Sequence, residues 1–278
     1  MIANSETSPI ESVIENKILQ MNGYEVHYYI SGKENKDLII FLHPAFSDHR
    51  IFNLQIDHFS KHYKVVTIDL IGHGLSKANK SKDKIDTSTE HIRRILEIEG
   101  NGKVHLVGVS MGTLIAQYYA LKHPEKIKSL TALGGYNINK ANKEVAHAQK
   151  AVNFNLIMRA IFSMDSFRKK ASEITCISQK GQALFYQSAS LYKRKSFMIM
   201  AGLEKVIKDR KHLEQDYPLL ILTGEYDIDL SIKMSKKWQS DTQNSMYYNI
   251  ICAGHCANID NPTEFNKVVK NFIDQNNN

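Results

Sequence analysis

Val104-His105-Leu106-Val107-Gly108-Val109-Ser110-Met111-Gly112 is the stretch on which the reading of this chain turns. The mostly apolar run from Val104 to Val109 has the length and β-branched content of a buried strand, and it passes directly into a helical pattern. In that pattern Met111, Leu114, Ile115, Tyr118 and Tyr119 recur at the i, i+3, i+4, i+7, i+8 spacing, and Pro124 ends it. Ser110 therefore lies on the turn itself. So tight a turn crowds the serine backbone, and Gly108 and Gly112 remove the Cβ atoms that would clash. The hydroxyl is lifted above the sheet edge, where a helix N-terminus offers unpaired N–H groups and the positive end of its dipole. Such a setting suits a nucleophile whose attack creates an oxyanion.

A serine hydroxyl needs a base at neutral pH, and the base needs an orienting carboxylate. Tyr217 to Thr223 reads as a buried strand ending in Gly224-Glu225-Tyr226-Asp227, which sets a carboxylate just past the strand's C-terminal end. Asp227 is the expected orienting acid and Asp229 the alternative, with Glu225 making local loop contacts. A further strand, Met246 to Ile251, is followed by Cys252-Ala253-Gly254-His255, so His255 falls in a loop at the same end of a parallel sheet. The order Ser, Asp, His along the chain supports His255 as general base.

With these residues in place the chain resembles the α/β-hydrolase superfamily over nearly its whole length, from about Lys17 to Ile273. The matching pieces are Phe41-Leu42-His43-Pro44-Ala45-Phe46, Asp69-Leu70-Ile71-Gly72-His73-Gly74-Leu75-Ser76, the Ser110 elbow, Gly224-Glu225-Tyr226-Asp227 and Ala253-Gly254-His255. The resemblance implies a mostly parallel eight-stranded sheet with helices on both faces, a site at the carboxyl ends of the strands, and a helical lid inserted after the sixth strand. One departure bears on mechanism. Members of the superfamily usually carry His-Gly where this chain has His43-Pro44. Proline has no N–H and fixes φ near −65°, so Pro44 cannot donate to an oxyanion. The donor is then expected to be the N–H of Ala45, with Phe46 as the alternative, and by resemblance the second donor is the N–H of Met111. The side chains of Phe46 and Met111 are candidates for the acyl pocket. By the same resemblance His43 and His73 shape loops, and His105, inside a strand, reads as a hydrogen-bonded core histidine.

Asn22-Gly23 between two alternating runs signals a hairpin, which opens the sheet with an antiparallel ribbon. Strand and helix patterns alternate thereafter, as in a parallel sheet. Thr87-Ser88-Thr89-Glu90 fits a capping box, and Asn261-Pro262 a cap followed by a first-turn proline. Between Gly135 and about Arg210 no strand pattern appears, although Val152 to Phe162 and Ser188 to Ile207 read as helical. The expected division is a core of residues 1–135 and 211–278 with a helical cap at 136–210. Aromatic residues of that cap, Phe162 among them, are candidates to line an apolar pocket.

A chain of 278 residues with 42% hydrophobic content can bury a large core as one domain. Three cysteines, Cys176, Cys252 and Cys256, are too few and odd in number for a disulfide framework, and they suit a reducing compartment. Cys252 and Cys256 bracket His255, but the spacing is no recognised zinc pattern, so neither a metal nor another cofactor is expected. Met1 to Ser12 lacks a basic and apolar leader pattern, and no run of about twenty apolar residues occurs, so a cytoplasmic protein without a membrane span is expected. The net charge of +7 is local: residues 138–211 hold fifteen Lys and Arg against five Asp and Glu. No nucleic-acid motif accompanies that excess.

Within the superfamily, haloalkane dehalogenases and epoxide hydrolases place aspartate at the elbow and dienelactone hydrolases place cysteine. Ser110 therefore points to acyl-group hydrolysis through an acyl-enzyme, with a small-molecule acyl substrate. Small or medium carboxylic esters are the expected substrates, with lactones, thioesters and carbon-carbon cleavage of diketone-type substrates as competitors. The alternative is a ligand sensor that retains the triad, turns over slowly, and signals to a protein partner through the lid.

Overall fold

The Asn22-Gly23 turn joins β1 (Glu15–Met21) to β2 (Tyr24–Ser31) in antiparallel register, with Met21 opposite Tyr24 and Gly23 at φ 87°. Such a φ costs glycine nothing. The computed structural model describes residues 13–78, 82–100, 102–140, 143–210 and 215–277, so Met1 to Ser12 lie outside it. From β2 the chain continues through β3 (Leu38–Leu42), α1 (Asn53–Phe59), β4 (Lys64–Ile68), α2 (Ser88–Glu99), β5 (Val104–Val109), α3 (Met111–Lys122) and β6 (Ile127–Leu133). A helical interval follows, with α4 (Lys143–Phe162), α5 (Met164–Thr175), α6 (Gln179–Ser188) and the short α7 (Leu203–Val206). Then come β7 (Leu219–Gly224), α8 (Asp229–Ser240), β8 (Ser245–Ile250), α9 (Ala257–Asp260) and α10 (Pro262–Gln275).

The eight strands form one sheet in the order β1-β2-β4-β3-β5-β6-β7-β8. β1 and β2 are antiparallel to their neighbours, and from β4 to β8 every pairing is parallel. Side chains alternate between two buried layers. Ile40, Leu42, Leu106, Leu219 and Ile221 face one layer with α2 and α3, while Ile39, Phe41, Val107, Leu220 and Leu222 face the other with α1 and α10. Both faces being covered, the central strands read as continuous apolar runs.

Strand order reverses between β3 and β5, because the chain leaves β3 for β4 on one side and returns to β5 on the other. A crevice opens at the carboxyl ends of strands at such a switch point. The loop after β3 and the Ser110 turn after β5 flank it.

Three local readings are modified. Nearly the whole circumference of α3 is buried, including Gly112, Thr113, Ala116 and Gln117, because this helix is enclosed rather than amphipathic. At the start of α2 a 3-10 turn, Ile85–Thr87, precedes the helix, so Thr87 is already helical and its hydroxyl donates to the Lys84 carbonyl instead of capping. The Ser188 to Ile207 run is not one helix: it divides into short turns around Arg194–Met198 and Met200–Gly202 before α7. Its exposed Lys193-Arg194-Lys195 run offers no apolar face, and burial is what sustains most helices. Asn261 does cap α10, its side chain accepting from the Glu264 N–H.

Candidate active site

Ser110 stands between β5 and α3 with φ 51° and ψ −113°, a conformation that non-glycine residues rarely hold. Its N–H donates to the Leu133 carbonyl at 2.7 Å, which pins the turn to the end of β6. A Cβ on Gly112 would overlap the Leu42 carbonyl oxygen, and one on Gly108 the backbone of Thr113. The first glycine lets α3 start against the end of β3; the second lets the turn close on itself.

His255 and Asp227 meet across the ends of β8 and β7. The imidazole Nδ1 lies 2.8 Å from Asp227 Oδ1, and the carboxylate accepts further hydrogen bonds from the Ile228 N–H (2.7 Å) and the Ser231 hydroxyl (2.9 Å). Burial pushes the Asp227 pKa up, but the His255 charge and these donors outweigh it and hold the carboxyl below its ordinary value. For His255 burial pushes downward, and the charge and hydrogen bond of Asp227 together push further upward, so its pKa is raised. Gly134, at φ 63°, follows β6 beneath the ring; a Cβ there would come within 2.8 Å of His255 Cε1. The Ser110 N–H is thus tied to Leu133, whose successor leaves room for the imidazole. Among the described residues the Ser110 hydroxyl has no hydrogen-bond partner, so the serine-histidine bond is not closed in this state. Asp229 begins α8 and is exposed, and Glu225 accepts from the Cys252 N–H at 2.8 Å, tying two loops together.

In the loop after β3, Phe46 adopts φ 73°, a strained value for an aromatic residue. Among the described residues no acceptor takes the N–H of Ala45, Phe46 or Met111. His43 staples this loop: Nδ1–H donates to the Pro44 carbonyl (2.7 Å) and Nε2 accepts from the Leu70 N–H (3.0 Å). Both ring nitrogens are used, and burial holds its pKa down. His73 packs its ring 5.0 Å from that of His43, and burial keeps it neutral as well. His105 bonds Ser129 (2.8 Å) and Asn277 (3.1 Å), away from the loop ends, with burial pushing its pKa down to about 4.

Residues 37–156 match the family model described as the alpha/beta hydrolase fold. The chain is similar to two enzymes of Acinetobacter baylyi along nearly their whole lengths. One is 3-oxoadipate enol-lactonase 1, 26% identical over 96% of this chain and 98% of that one. The other is (E)-2-((N-methylformamido)methylene)succinate hydrolase, 22% identical over 93% and 98%. A solved thermophilic esterase from Thermogutta terrifontis shares the fold, with a TM-score of 0.79 at 16% identity over 94% of this chain and 99% of that one. The chain has the α/β-hydrolase fold.

In this hydrolase fold the interval between β6 and β7 packs onto the loop after β3. Phe46 meets Phe167 of α5 (ring centroids 5.2 Å), Tyr192 (5.3 Å) and Phe197 (5.8 Å). Phe162 does not join them: it ends α4 with 81% of its surface exposed, and no ring contact among the described residues links it to that cluster. Met111 is buried against the opposite layer.

Asp260, at the end of α9, was not marked by any motif. Its carboxylate accepts from the Gly254 N–H (3.0 Å), the Ile177 N–H (2.9 Å), and both the N–H (2.9 Å) and hydroxyl (2.6 Å) of Ser178. It therefore clamps the His255 loop to the turn between α5 and α6. Sequence spacing carries no signal for it, since Ile177 and Ser178 lie about eighty residues away. All three cysteines are free thiols; contact with Cys176 and burial push the Cys256 pKa well up, so it offers no thiolate. Among the described residues, Asp48, His49 and Asp69 form a group with the spacing of metal ligands. Both carboxylates already have partners within the protein, Asp48 in an ion pair with Arg50 at 2.6 Å and Asp69 hydrogen-bonded to the His49 imidazole at 2.8 Å and to the Leu75 N–H at 2.8 Å.

Proposed function

We propose that the chain hydrolyses carboxylic esters, lactones included, through an acyl-enzyme on Ser110. The observation that carries this reading is the His255-Asp227 pair, held over Gly134 beside a strained serine turn. His255 Nε2 takes the hydroxyl proton as Ser110 Oγ attacks the substrate carbonyl, and Asp227 fixes the tautomer and stabilises the imidazolium. The free N–H groups of Met111 and of Ala45 or Phe46 receive the oxyanion. His255 returns the proton to the departing alkoxide, releasing an alcohol, or opening the ring of a lactone. Water then attacks the acyl-enzyme with His255 again as base, regenerating Ser110 and a carboxylic acid. The similarity to an enol-lactonase supports including cyclic esters. The aromatic cluster around Phe46 walls the acyl side, and residues 136–210 act as the lid that supplies it. No cofactor takes part in these steps.

The test is a panel of linear esters, lactones and thioesters turned over by the wild type and by Ser110→Ala, with a fluorophosphonate probe to locate the nucleophile. Many turnovers, one adduct on Ser110, and loss of both in the variant are expected. Undiminished hydrolysis by Ser110→Ala, or a Cys256 adduct, would overturn the mechanism. A single turnover per molecule with every substrate class would point instead to a sensor that retains the triad.

A further inference from the structure

Helix α4 presents two different apolar faces. Leu156 and Ala160, four residues apart, are buried. Around the helix from them Phe154, Ile157, Met158, Ile161 and Phe162 recur at the i, i+3, i+4, i+7, i+8 spacing, with exposures of 68, 39, 37, 56 and 81%. This is the spacing by which a helix normally buries a stripe, here turned to solvent. Large contiguous apolar surface of this kind marks an interaction face.

The surroundings of the stripe are basic. Arg194 reaches the end of α4, donating from Nε to the Ala160 carbonyl (2.6 Å) and from Nη2 to that of Ile161 (3.3 Å). Exposed Lys193 and Lys195 adjoin Arg194 in the chain, and Met198, itself 64% exposed, ends the same Arg194–Met198 turn. Residues 152–198 hold eight Lys and Arg against two Asp and Glu. Among the described residues Lys169, Lys193 and Lys195 have no ion-pair partner. An apolar wedge rimmed by unmatched cations complements a surface with an apolar interior and an anionic rim. No described helix is long and apolar enough to cross a membrane, so contact would be in the plane of the interface.

We propose that the exposed stripe of α4, with Met198 and the Lys193–Lys195 turn, seats on an anionic phospholipid surface. The apolar side chains enter the interface and the cations rest among the headgroup phosphates. The full-length protein is floated with vesicles of phosphatidylcholine alone and of phosphatidylcholine mixed with phosphatidylglycerol. Flotation with the mixed vesicles only is expected, weakened by added salt because exposed charges are screened. Ile157→Ser with Ile161→Ser, and separately Lys193→Glu with Lys195→Glu, should each weaken binding by about tenfold or more. All four side chains face solvent, so an unchanged far-UV circular dichroism spectrum and melting temperature serve as the folding control. Absence of flotation, or flotation unchanged by both pairs of substitutions, would overturn the proposal. So would a dimer in solution that the isoleucine pair disperses, since a second copy would then be what covers the stripe.

Discussion

Ser110 at φ 51° and Phe46 at φ 73° hold conformations that cost roughly 1–3 kcal/mol each, and both belong to the site proposed for acyl attack. The same scale decides the acid. Asp227→Asn removes the charge that outweighs burial at His255 and allows the wrong tautomer, so kcat should fall by about 10⁴, the loss measured for the analogous change in a serine protease. Asp229→Asn, made at an exposed position, should change kcat little. The pH profile gives an independent check, because only neutral His255 can act as base. With its pKa raised above the ordinary 6.5, kcat/KM of the wild type should climb with pH and reach half its plateau above 6.5. In Asp227→Asn only the downward effect of burial remains, and that limb should move to lower pH.

Among elements, the contact to examine is the clamp between α9 and the turn joining α5 to α6. Asp260→Ala removes four hydrogen bonds at once and frees the Gly254 N–H next to His255. A small displacement of a catalytic group costs up to about 100-fold in rate. The expected result is a kcat lowered by roughly 10- to 100-fold with a smaller change in KM, and slower labelling of Ser110 by the fluorophosphonate probe. Asp260→Asn, which keeps acceptor capacity at one oxygen, should fall between the two. A lowered melting temperature with kcat and labelling intact would make Asp260 a structural tie only.

Over the whole molecule the proposed mechanism makes the sheet the rigid base and the helical interval between β6 and β7 the source of selectivity. Phe46 belongs to the base, whereas Phe167, Tyr192 and Phe197 belong to the interval, so the proposed acyl wall spans both. Replacing Phe197 by Ala should open that wall and shift the kcat/KM ratio of long to short esters toward the long ones, by about tenfold, the scale of discrimination that a methylene or two gives in an apolar pocket. Phe162→Ala, at a solvent-facing position, should shift the ratio less. Equal shifts, or none at Phe197, would move the acyl wall elsewhere.

Local pattern was enough to read the strand alternation, the hairpin at Asn22-Gly23, the serine turn with its two glycines, and the absence of an N–H at Pro44, because each is a property of neighbouring residues. Alternation implied a parallel sheet, the resemblance to the α/β hydrolases implied its eight strands, and the structure has both. Long-range matters were not legible in the same way. Asp227 and Asp229 both follow β7, and only packing shows that the first is buried against His255 while the second faces solvent. Ala45 and Phe46 stay equivalent as candidate oxyanion donors, since neither N–H has an acceptor among the described residues. Apolar spacing in α4 resembled a buried helix face, yet spacing records only that residues share a side, not what covers it. Thr87 lost its capping role to a 3-10 turn, and Asp260 gained its role from partners far away in the chain. Periodicity and turn chemistry act within a few residues and so are written in the sequence; burial, charge matching and the clamp on His255 arise only when distant segments meet, and the tertiary structure alone decides them.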